Sequence, residues 1–306
     1  MSLGFVFPGQ GSQSVGMLAD IAAEYPQVQA YFEEAAEVIS RPLWRIVSEG
    51  PEDELISTEI TQPALLTASM ALWSIWQAGG GERPTCVAGH SLGEYSALVC
   101  AGALSFTDAV RLVNRRGQLM QTAVPRGEGA MAAILGLDDE QVEAVCRETD
   151  GVVSAANYNA PGQVVIAGAA AAVDAAAARC RELGARRAAL LPVSAPFHCE
   201  LMRPAQEAFA ADLNAVTLHE PDIPVVQNVD AAVATDIGEL RRKLLVQISQ
   251  PVLWTSCVQM MVSRGVGRIV ECGAGRVLCG LIKRIDKSVD AIGIGTLEGL
   301  CSALGE

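Results

Sequence analysis

The sequence predicts an α/β fold with a parallel sheet, into which a small ferredoxin-like unit is inserted. Short apolar segments that suit buried strands alternate with longer helical stretches, which is typical of α/β proteins. Residues 129–191 depart from this alternation and follow the order βαββαβ of the ferredoxin-like unit. The 306 residues are 50% hydrophobic and 19% charged, which suits about two domains and excludes intrinsic disorder.

Local signals delimit the elements in the first part of the larger unit. An apolar strand ends at Pro8-Gly9. Two helices begin at or next to a proline, which suits the first helical turn, and Ser105 is a suitable N-cap for a third. The predicted elements are a strand at 3–7, helices at 26–39 and 62–78, a strand at 85–88, a helix from about residue 92 and a helix at 105–122.

The remaining elements define two units. The small unit comprises a strand at 129–135, a helix at 138–148, strands at 152–157 and 163–167, a helix at 169–183 and a strand at 186–191. The larger pattern resumes with a helix at 201–214, a strand at 224–228, helices at 237–247 and 254–264, a strand at 268–271, a helix at 276–285 and a strand at 291–294. We therefore assign residues 1–123 and 196–306 to a large catalytic unit and residues 124–195 to the small one.

The composition excludes several kinds of partner and site. Lys and Arg total 22 against 35 Asp and Glu, and the net charge of −13 is unsuited to binding nucleic acid. The nine cysteines include no CxxC pair, so we expect reduced thiols and no metal site. The N-terminus does not resemble a signal peptide, and the apolar run TASMALWSIWQAGG is too short for a membrane span. We expect a cytoplasmic protein without membrane contact.

The strongest chemical signal is the GxSxG motif that Gly89 to Gly93 form around Ser91. A serine between a strand and a helix sits on a strained turn, and the residues two before and two after it must be small. The apolar CVA before the motif and the helical LGEYSALVCAG after it provide this context. Because the helix N-terminus beside Ser91 can stabilise an oxyanion, we favour a nucleophile over a capping serine.

A serine nucleophile needs a base, and the chain has three histidines. His90 adjoins Ser91, and neighbouring side chains on such a turn diverge. His219 lies just before a predicted strand and could be a surface residue. His198 follows the small unit in a loop at the unit junction, where catalytic groups tend to lie, so we favour it over His219. With His198 as base, activity should rise through a pKa near neutrality.

Two further features suit an acyl-transfer site. The segment from Phe7 to Gly11 could supply the second oxyanion donor, since its glycines let backbone N–H groups approach a ligand. It is not a dinucleotide loop, because Ser14 replaces the third glycine of that motif. Arg115 and Arg116 are consecutive on an amphipathic helix, so one of them could point inward toward a ligand carboxylate. A solvent-exposed pair is equally compatible with the pattern.

These residues lie in a longer series of segments that resembles one family. FVFPGQGSQ, TQPALLTASMALW, GHSLGEYSALVCAGALSF, NYNAPGQVVIAG, PVSAPFHCELM, QPVLW and GRVLCGLIKRI occur in the order found in malonyl-CoA:acyl carrier protein transacylases. The resemblance extends from residue 5 to 285. It implies a hydrolase-like α/β core with an inserted ferredoxin-like subdomain, and a ping-pong transfer of malonyl from CoA to acyl carrier protein for fatty acid synthesis.

The resemblance also assigns roles to single residues. It implies Ser91 as nucleophile, His198 as base, Arg116 as the group that binds the malonyl carboxylate, Gln10 and Leu92 as backbone oxyanion donors, and Gln247 as the residue whose carbonyl orients the histidine. The site would then be a Ser-His dyad without an acid. Phe197 resembles the malonyl-selective form found in related polyketide acyltransferases.

The resemblance implies malonyl-CoA and acyl carrier protein as partners, with the CoA thioester as substrate and no permanently bound cofactor. We expect a free-standing monomer. An acidic carrier protein requires a local basic patch, for which Lys283, Arg284 and Lys287 or Arg186-Arg187 are candidates, although we favour ordinary surface charge as the explanation of both. Two other functions stay open: a serine esterase or thioesterase, which has no need of Arg116, and a catalytically silent binding module.

Overall fold

The computed structural model describes residues 2–193 and 195–305. Its strands are β1 (Ser2–Phe7), β2 (Cys86–Gly89), β3 (Gly129–Leu135), β4 (Val153–Ala160), β5 (Gln163–Ala169), β6 (Arg187–Leu190), β7 (Val225–Val226), β8 (Val266–Glu271) and β9 (Asp290–Gly293). Its α-helices are α1 (Ala19–Glu24), α2 (Gln27–Ile39), α3 (Leu43–Glu49), α4 (Glu52–Leu55), α5 (Thr58–Ala78), α6 (Gly93–Cys100), α7 (Phe106–Thr122), α8 (Asp139–Glu148), α9 (Ala170–Glu182), α10 (Arg203–Ala215), α11 (Ile237–Val246), α12 (Trp254–Ser263), α13 (Val277–Ile285) and α14 (Leu297–Leu304).

A five-stranded parallel sheet forms the centre of the larger part of the molecule. Its strand order is β7-β2-β1-β8-β9, and each paired neighbour is parallel. Both faces are covered by helices, so the central strand β1 is buried and without polar side chains from Leu3 to Phe7, as expected for a parallel sheet. Phe5 packs edge-on against Trp73 and Trp76 of α5, whereas Val6 on the opposite face joins a cluster that includes Trp254.

A second, antiparallel sheet contains the strands of the inserted segment. Its order is β4-β5-β3-β6, and the chain order of strands and helices is βαββαβ. Helices α8 and α9 cover one face through a separate hydrophobic cluster. The prediction of a parallel sheet with a separate ferredoxin-like unit is therefore confirmed, whereas the division at residues 124–195 stays a prediction.

Helix α5 begins at Thr58, four residues before the predicted start. Pro63 was expected in the first turn, but it lies inside the helix, where it cannot donate a hydrogen bond to the carbonyl of Glu59. The side-chain nitrogen of Asn114 on α7 donates to that carbonyl at 2.8 Å instead. A contact from a neighbouring helix thus satisfies the oxygen that the proline leaves free.

Other boundaries also differ from the prediction. The short helices α1, α3 and α4, and the C-terminal helix α14, were not predicted. The strand expected at 224–228 is reduced to β7, because the backbone N–H of Asn228 donates to the Glu94 side chain instead of a neighbouring strand. None of the helices within the described ranges has the length and apolarity required to cross a membrane.

Candidate active site

Ser91 lies on a tight turn between β2 and α6. Its φ angle is 52°, a left-handed conformation that is strained for a serine. A Cβ on Gly89 would lie 1.8 Å from the carbonyl carbon of Gly93, and one on Gly93 would lie 2.0 Å from the carbonyl oxygen of Phe7. Only glycine fits at these two positions, which is the steric condition that the GxSxG motif predicts.

The steric argument predicts a large stability cost for Gly93→Ala. Overpacking costs about 1–3 kcal/mol when side chains can move, and here the obstacle is the backbone of the central strand. We therefore expect a loss of at least about 3 kcal/mol in the free energy of unfolding, measured by urea denaturation. Gly280→Ala is the matched control, because that helical glycine has no atom within 4 Å of an added Cβ. It should gain about 0.4–1 kcal/mol, and equal effects of both variants would contradict the argument.

The structure brings Ser91 and His198 together across 107 residues of sequence. The Oγ of Ser91 lies 2.7 Å from Nε2 of His198, and Nδ1 of the same ring lies 2.8 Å from the backbone carbonyl oxygen of Gln247. A carbonyl oxygen can only accept, so Nδ1 carries the proton and Nε2 offers its lone pair to the hydroxyl of Ser91. The ring is thus oriented as a base without a carboxylate.

The other two histidines are placed elsewhere. His219 is exposed, and its backbone N–H donates to Ala103 in a loop. His90 points away from Ser91, with Nε2 2.8 Å from the side-chain oxygen of Asn159 and its ring beside Trp254. His198 is buried on a loop between β6 and α10 and has a φ of 59°. The two dyad residues therefore both occupy left-handed turns.

Burial in the first place, and then the positive charge of Arg116, lower the pKa of His198 to about 3. Both effects disfavour the charged imidazolium, so the ring is neutral at physiological pH. The expectation of a base that titrates near neutrality was therefore wrong. The sequence could not show that the ring is buried beside a guanidinium group.

Arg116 points into the site, and Arg115 points out of it. The guanidinium of Arg116 is buried and donates from Nη1 to Oε1 of Gln62 at 2.8 Å. Its Nη2 donates to Oε1 of Gln247 at 3.0 Å and to Oγ of Ser91 at 3.1 Å. Arg115 is 46% exposed and pairs with Asp212. The open choice between an inward arginine and a surface pair is thereby resolved.

The hydrogen bonds of Arg116 go to neutral oxygens, and its guanidinium carbon lies 5.7 Å from the centroid of the Tyr95 ring. Within residues 2–193 and 195–305 no carboxylate forms an ion pair with it, and its Nε has no partner. Burying a guanidinium group without an acidic partner costs free energy, and an anionic ligand that binds to the group reduces this cost. The site is therefore suited to a substrate that brings a carboxylate close to Ser91.

The loop after β1 and the elbow after β2 lie against each other. A Cβ on Gly9 would be 2.5 Å from the carbonyl oxygen of His90, so these backbones approach closely. Gln10 and Leu92 both line the pocket beside Ser91. Neither backbone N–H has a partner among the hydrogen bonds of the described residues, so both are free to donate to an oxyanion.

The pocket that contains Ser91 has a volume of about 170 Å³ and lies between the two sheets. Its apolar wall comes largely from the antiparallel sheet and the loops beside it. That wall consists of Met120, Met131, Val165, Leu191, Val193 and Phe197. The polar part includes Gln62, His90, Asn157 and Asn159. In the part of the chain that the structure describes, no cluster of His, Cys, Asp and Glu is arranged to hold a metal ion.

Three buried polar residues at this site were not predicted. Gln62 is a polar residue in the most buried part of α5, and Glu94 is an acid in the first turn of α6. Asn228 follows β7 and accepts a hydrogen bond from the backbone N–H of Ser91 at 2.8 Å. For Gln62 and Glu94 a signal existed, since each interrupts an otherwise apolar helix, but only the structure shows what each contacts.

The chain is similar to known proteins in both sequence and fold. Residues 4–271 match the model of the acyl transferase domain family. The chain is 52% identical over 302 residues to the malonyl CoA-acyl carrier protein transacylase of Escherichia coli, with 98% of both chains covered. The crystal structure of the malonyl-CoA:acyl carrier protein transacylase from Xanthomonas oryzae superposes with a TM-score of 0.98 at 52% identity, covering 99% of this chain and 98% of that one.

A further solved structure holds a malonyl-transacylase in complex with its type II PKS acyl-carrier protein. It is 48% identical, has a TM-score of 0.98 and covers 100% of this chain and 99% of that one. These similarities extend over the elbow, both sheets and the loop of His198. The resemblance drawn from the motifs is therefore confirmed, and the chain belongs to the malonyl CoA-acyl carrier protein transacylases.

Proposed function

We propose that this protein transfers the malonyl group of malonyl-CoA to the phosphopantetheine thiol of acyl carrier protein, for fatty acid chain elongation. The observation that carries the proposal is the buried Arg116, which lies 3.1 Å from the nucleophile and makes no ion pair within the described residues. A serine esterase has no use for such a group. We expect a cytoplasmic monomer that needs no bound cofactor.

The first half-reaction acylates Ser91. The hydroxyl proton passes to Nε2 of His198 while Oγ attacks the thioester carbonyl carbon. The negative charge on the carbonyl oxygen is stabilised by the backbone N–H groups of Gln10 and Leu92. When the tetrahedral intermediate collapses, the CoA sulfur leaves and takes the proton from His198, which leaves malonyl-Ser91 and free CoA.

The second half-reaction reverses these roles with a different thiol. His198 takes the proton of the phosphopantetheine thiol, and the resulting thiolate attacks the Ser91 ester. The same backbone donors stabilise the oxyanion, and Ser91 recovers its proton from His198. Atoms and charges balance over both steps, so no cofactor is consumed. Arg116 binds the malonyl carboxylate throughout, and Phe197 limits the room for a branched acyl group.

The proposal is tested by following the acyl group. The protein is exposed briefly to malonyl-CoA and analysed by intact mass, and then pantetheinylated acyl carrier protein is added. A malonyl adduct that moves to the carrier supports transfer. An adduct that is lost to water at the same rate with and without the carrier would instead indicate a thioesterase, and no adduct would favour the binding module.

The carrier requires a docking surface on this acidic protein. Lys283, Arg284 and Lys287 are exposed at the end of α13, and the Arg284 guanidinium donates to Gln163 of the antiparallel sheet at 2.6 Å. This cluster and the exposed Arg186-Arg187 pair stay the two candidates for docking. Complementary charge would mainly raise the association rate, so salt should slow transfer more than acylation.

Arg116→Ala should change the preference among acyl groups. Hydrogen bonds to charged groups contribute about 1.5–3 kcal/mol each, so kcat/KM for malonyl-CoA should fall roughly ten- to a hundred-fold. Acetyl-CoA brings no carboxylate, and its transfer should stay level or rise once the unpaired guanidinium is gone. Lysine at this position should restore only part of the malonyl activity, because it keeps the charge but lacks the paired N–H donors of the guanidinium group.

Arg115→Ala is the matched control for this experiment. Arg115 has the same charge and the same helix, but it is exposed and pairs with Asp212. Both variants are measured with malonyl-CoA and acetyl-CoA. Equal losses for the two substrates in Arg116→Ala would indicate a structural role only, and a change of preference in Arg115→Ala would contradict the assignment.

A further inference from the structure

Glu94 is a fully buried carboxylate in the first turn of α6, three residues after Ser91. Its Oε2 accepts from the backbone N–H of Asn228 and from Nε2 of Gln247, each at 2.9 Å, and its Oε1 accepts from Nε2 of Gln227 at 3.1 Å. Three donors face it, which suits an ionised carboxylate, since a buried charge must be hydrogen-bonded. The proposed mechanism does not yet use this group.

The amide of Gln247 is oriented by its surroundings. Besides Glu94, its Nε2 faces the carbonyl oxygen of Ser91 at 3.0 Å and the side-chain oxygen of Asn228 at 3.1 Å. All three neighbours are acceptors, so the NH₂ end must point toward them and Oε1 must point toward Arg116. If the amide turned over, its NH₂ group would face the guanidinium, and two donors would oppose each other.

Gln247 contacts two functional groups at once. Its Oε1 accepts from Nη2 of Arg116 at 3.0 Å, and its backbone carbonyl accepts from Nδ1 of His198 at 2.8 Å. A contact that fixes Gln247 therefore also positions Arg116, through the Gln247 side chain, and His198, through the Gln247 backbone carbonyl. At the other end of the amide, Glu94 is the carboxylate that accepts from Nε2 of Gln247.

A second contact of Glu94 leads to the nucleophile. Asn228, whose backbone N–H Glu94 accepts, itself accepts the N–H of Ser91 at 2.8 Å and donates from Nδ2 to the carbonyl of Gly89 at 2.7 Å. The N–H of Ser91 and the carbonyl of Gly89 are thus both bound to Asn228, and Asn228 is itself bound to Glu94.

We propose that Glu94 is a positioning residue that sets malonyl selectivity by fixing the amide of Gln247 against Arg116. The proposal rests on the proposed function, because it concerns how the same site recognises a carboxylate. Glu94 does not touch the substrate in this scheme. The alternative is that its negative charge only stabilises the positive end of α6, as acids in a first helical turn do.

Glu94→Gln separates the two interpretations, because it keeps the shape but replaces one acceptor by an NH₂ donor facing other donors. An NH₂ group at the Oε2 position would face the amide of Gln247 as a second donor, and a neutral oxygen there would accept only an uncharged, weaker hydrogen bond. In either orientation the amide of Gln247 is held less firmly with its oxygen toward Arg116. We expect the kcat/KM ratio of malonyl-CoA to acetyl-CoA to fall at least about tenfold, as for the loss of one charge-assisted hydrogen bond. Melting temperature is measured in parallel.

Glu271→Gln is the matched control. Glu271 is equally buried and accepts the backbone N–H groups of Leu278 and Cys279 at the start of α13. It is not among the described residues that line the pocket of Ser91. It should lose stability and keep the malonyl-to-acetyl ratio. A ratio in folded Glu94→Gln within about twofold of the wild type, or an equal fall in both variants, would overturn the proposal.

A second variant serves if Glu94→Gln does not fold. Gln247→Leu keeps the backbone carbonyl on His198 and removes the amide, so it should lower the malonyl-to-acetyl ratio. If the malonyl-to-acetyl ratio stays at the wild-type value, the proposal is wrong.

Failure of the function and failure of the positioning role give different results. Absence of malonyl transfer in the wild type and in Glu271→Gln would reject the function. Normal transfer in both, together with an unchanged malonyl-to-acetyl ratio in Glu94→Gln, would reject only the role of Glu94. In the combined variant with Gln247→Leu, Glu94→Gln should cause no further loss of this ratio, since both changes remove the same interaction.

Discussion

Ser91→Ala should form no malonyl adduct and should lose at least about 10⁴-fold in transfer, because the covalent step has no other acceptor. The hydroxyl lies 2.7 Å from Nε2 of His198 and 3.1 Å from Nη2 of Arg116. It therefore contacts both the base and the positively charged guanidinium group. The measurement is intact mass after brief exposure to malonyl-CoA, with the adduct located by peptide mapping.

Ser96→Ala is the matched control for the nucleophile. Ser96 is on the same helix α6 and is also buried, but its hydroxyl has no hydrogen-bond partner among the described residues. Removal of this hydroxyl should leave acylation unchanged.

Cys199, next to His198, is the other nucleophile to exclude. Its thiol donates to the carbonyl of Pro196 and burial raises its pKa to about 11, so little thiolate forms. A malonyl adduct on Cys199 would contradict the assignment of Ser91.

His198→Ala should slow acylation by about 10²–10⁴-fold, the usual contribution of a general base. The matched control is His219→Ala, which removes an exposed histidine and should change nothing. Single-turnover acylation of Ser91 is the direct measurement, because it isolates the step in which the base takes the hydroxyl proton. A greater loss in His219→Ala than in His198→Ala would reverse the assignment.

The pH profile offers an independent test of the same residue. A lowered pKa of about 3 keeps His198 in its neutral, proton-accepting form through the physiological range. Acylation of the free enzyme should therefore show no acid limb from His198 near its ordinary pKa of about 6.5 and should decline only toward pH 3. A limb near pH 6.5 that disappears in His198→Ala would mean that the ring is more hydrated than its burial indicates.

The sequence was sufficient for features that depend on neighbours along the chain. The strand-turn-helix context and the two small residues that flank the elbow identify Ser91, and the order βαββαβ identifies the antiparallel unit. Ser105 caps α7 as predicted, because its hydroxyl accepts the N–H of Asp108. The short helices α1, α3 and α4 escaped prediction, since each has too few turns to show a period.

Only the tertiary structure decided which residues meet. Helical periodicity placed Arg115 and Arg116 about 100° apart, but it could not tell which faces the core. The partner of His198 is a backbone carbonyl, a group that every residue carries and that no sequence pattern reveals. Burial raises the pKa of Glu94 to about 7, although its hydrogen bonds and the charge of Arg116 favour the ionised form. The lowered pKa of His198 also follows first from burial. Burial and the pairing of distant groups depend on how the whole chain packs, so the sequence names candidates for the reactive residues and the fold determines their charge and orientation.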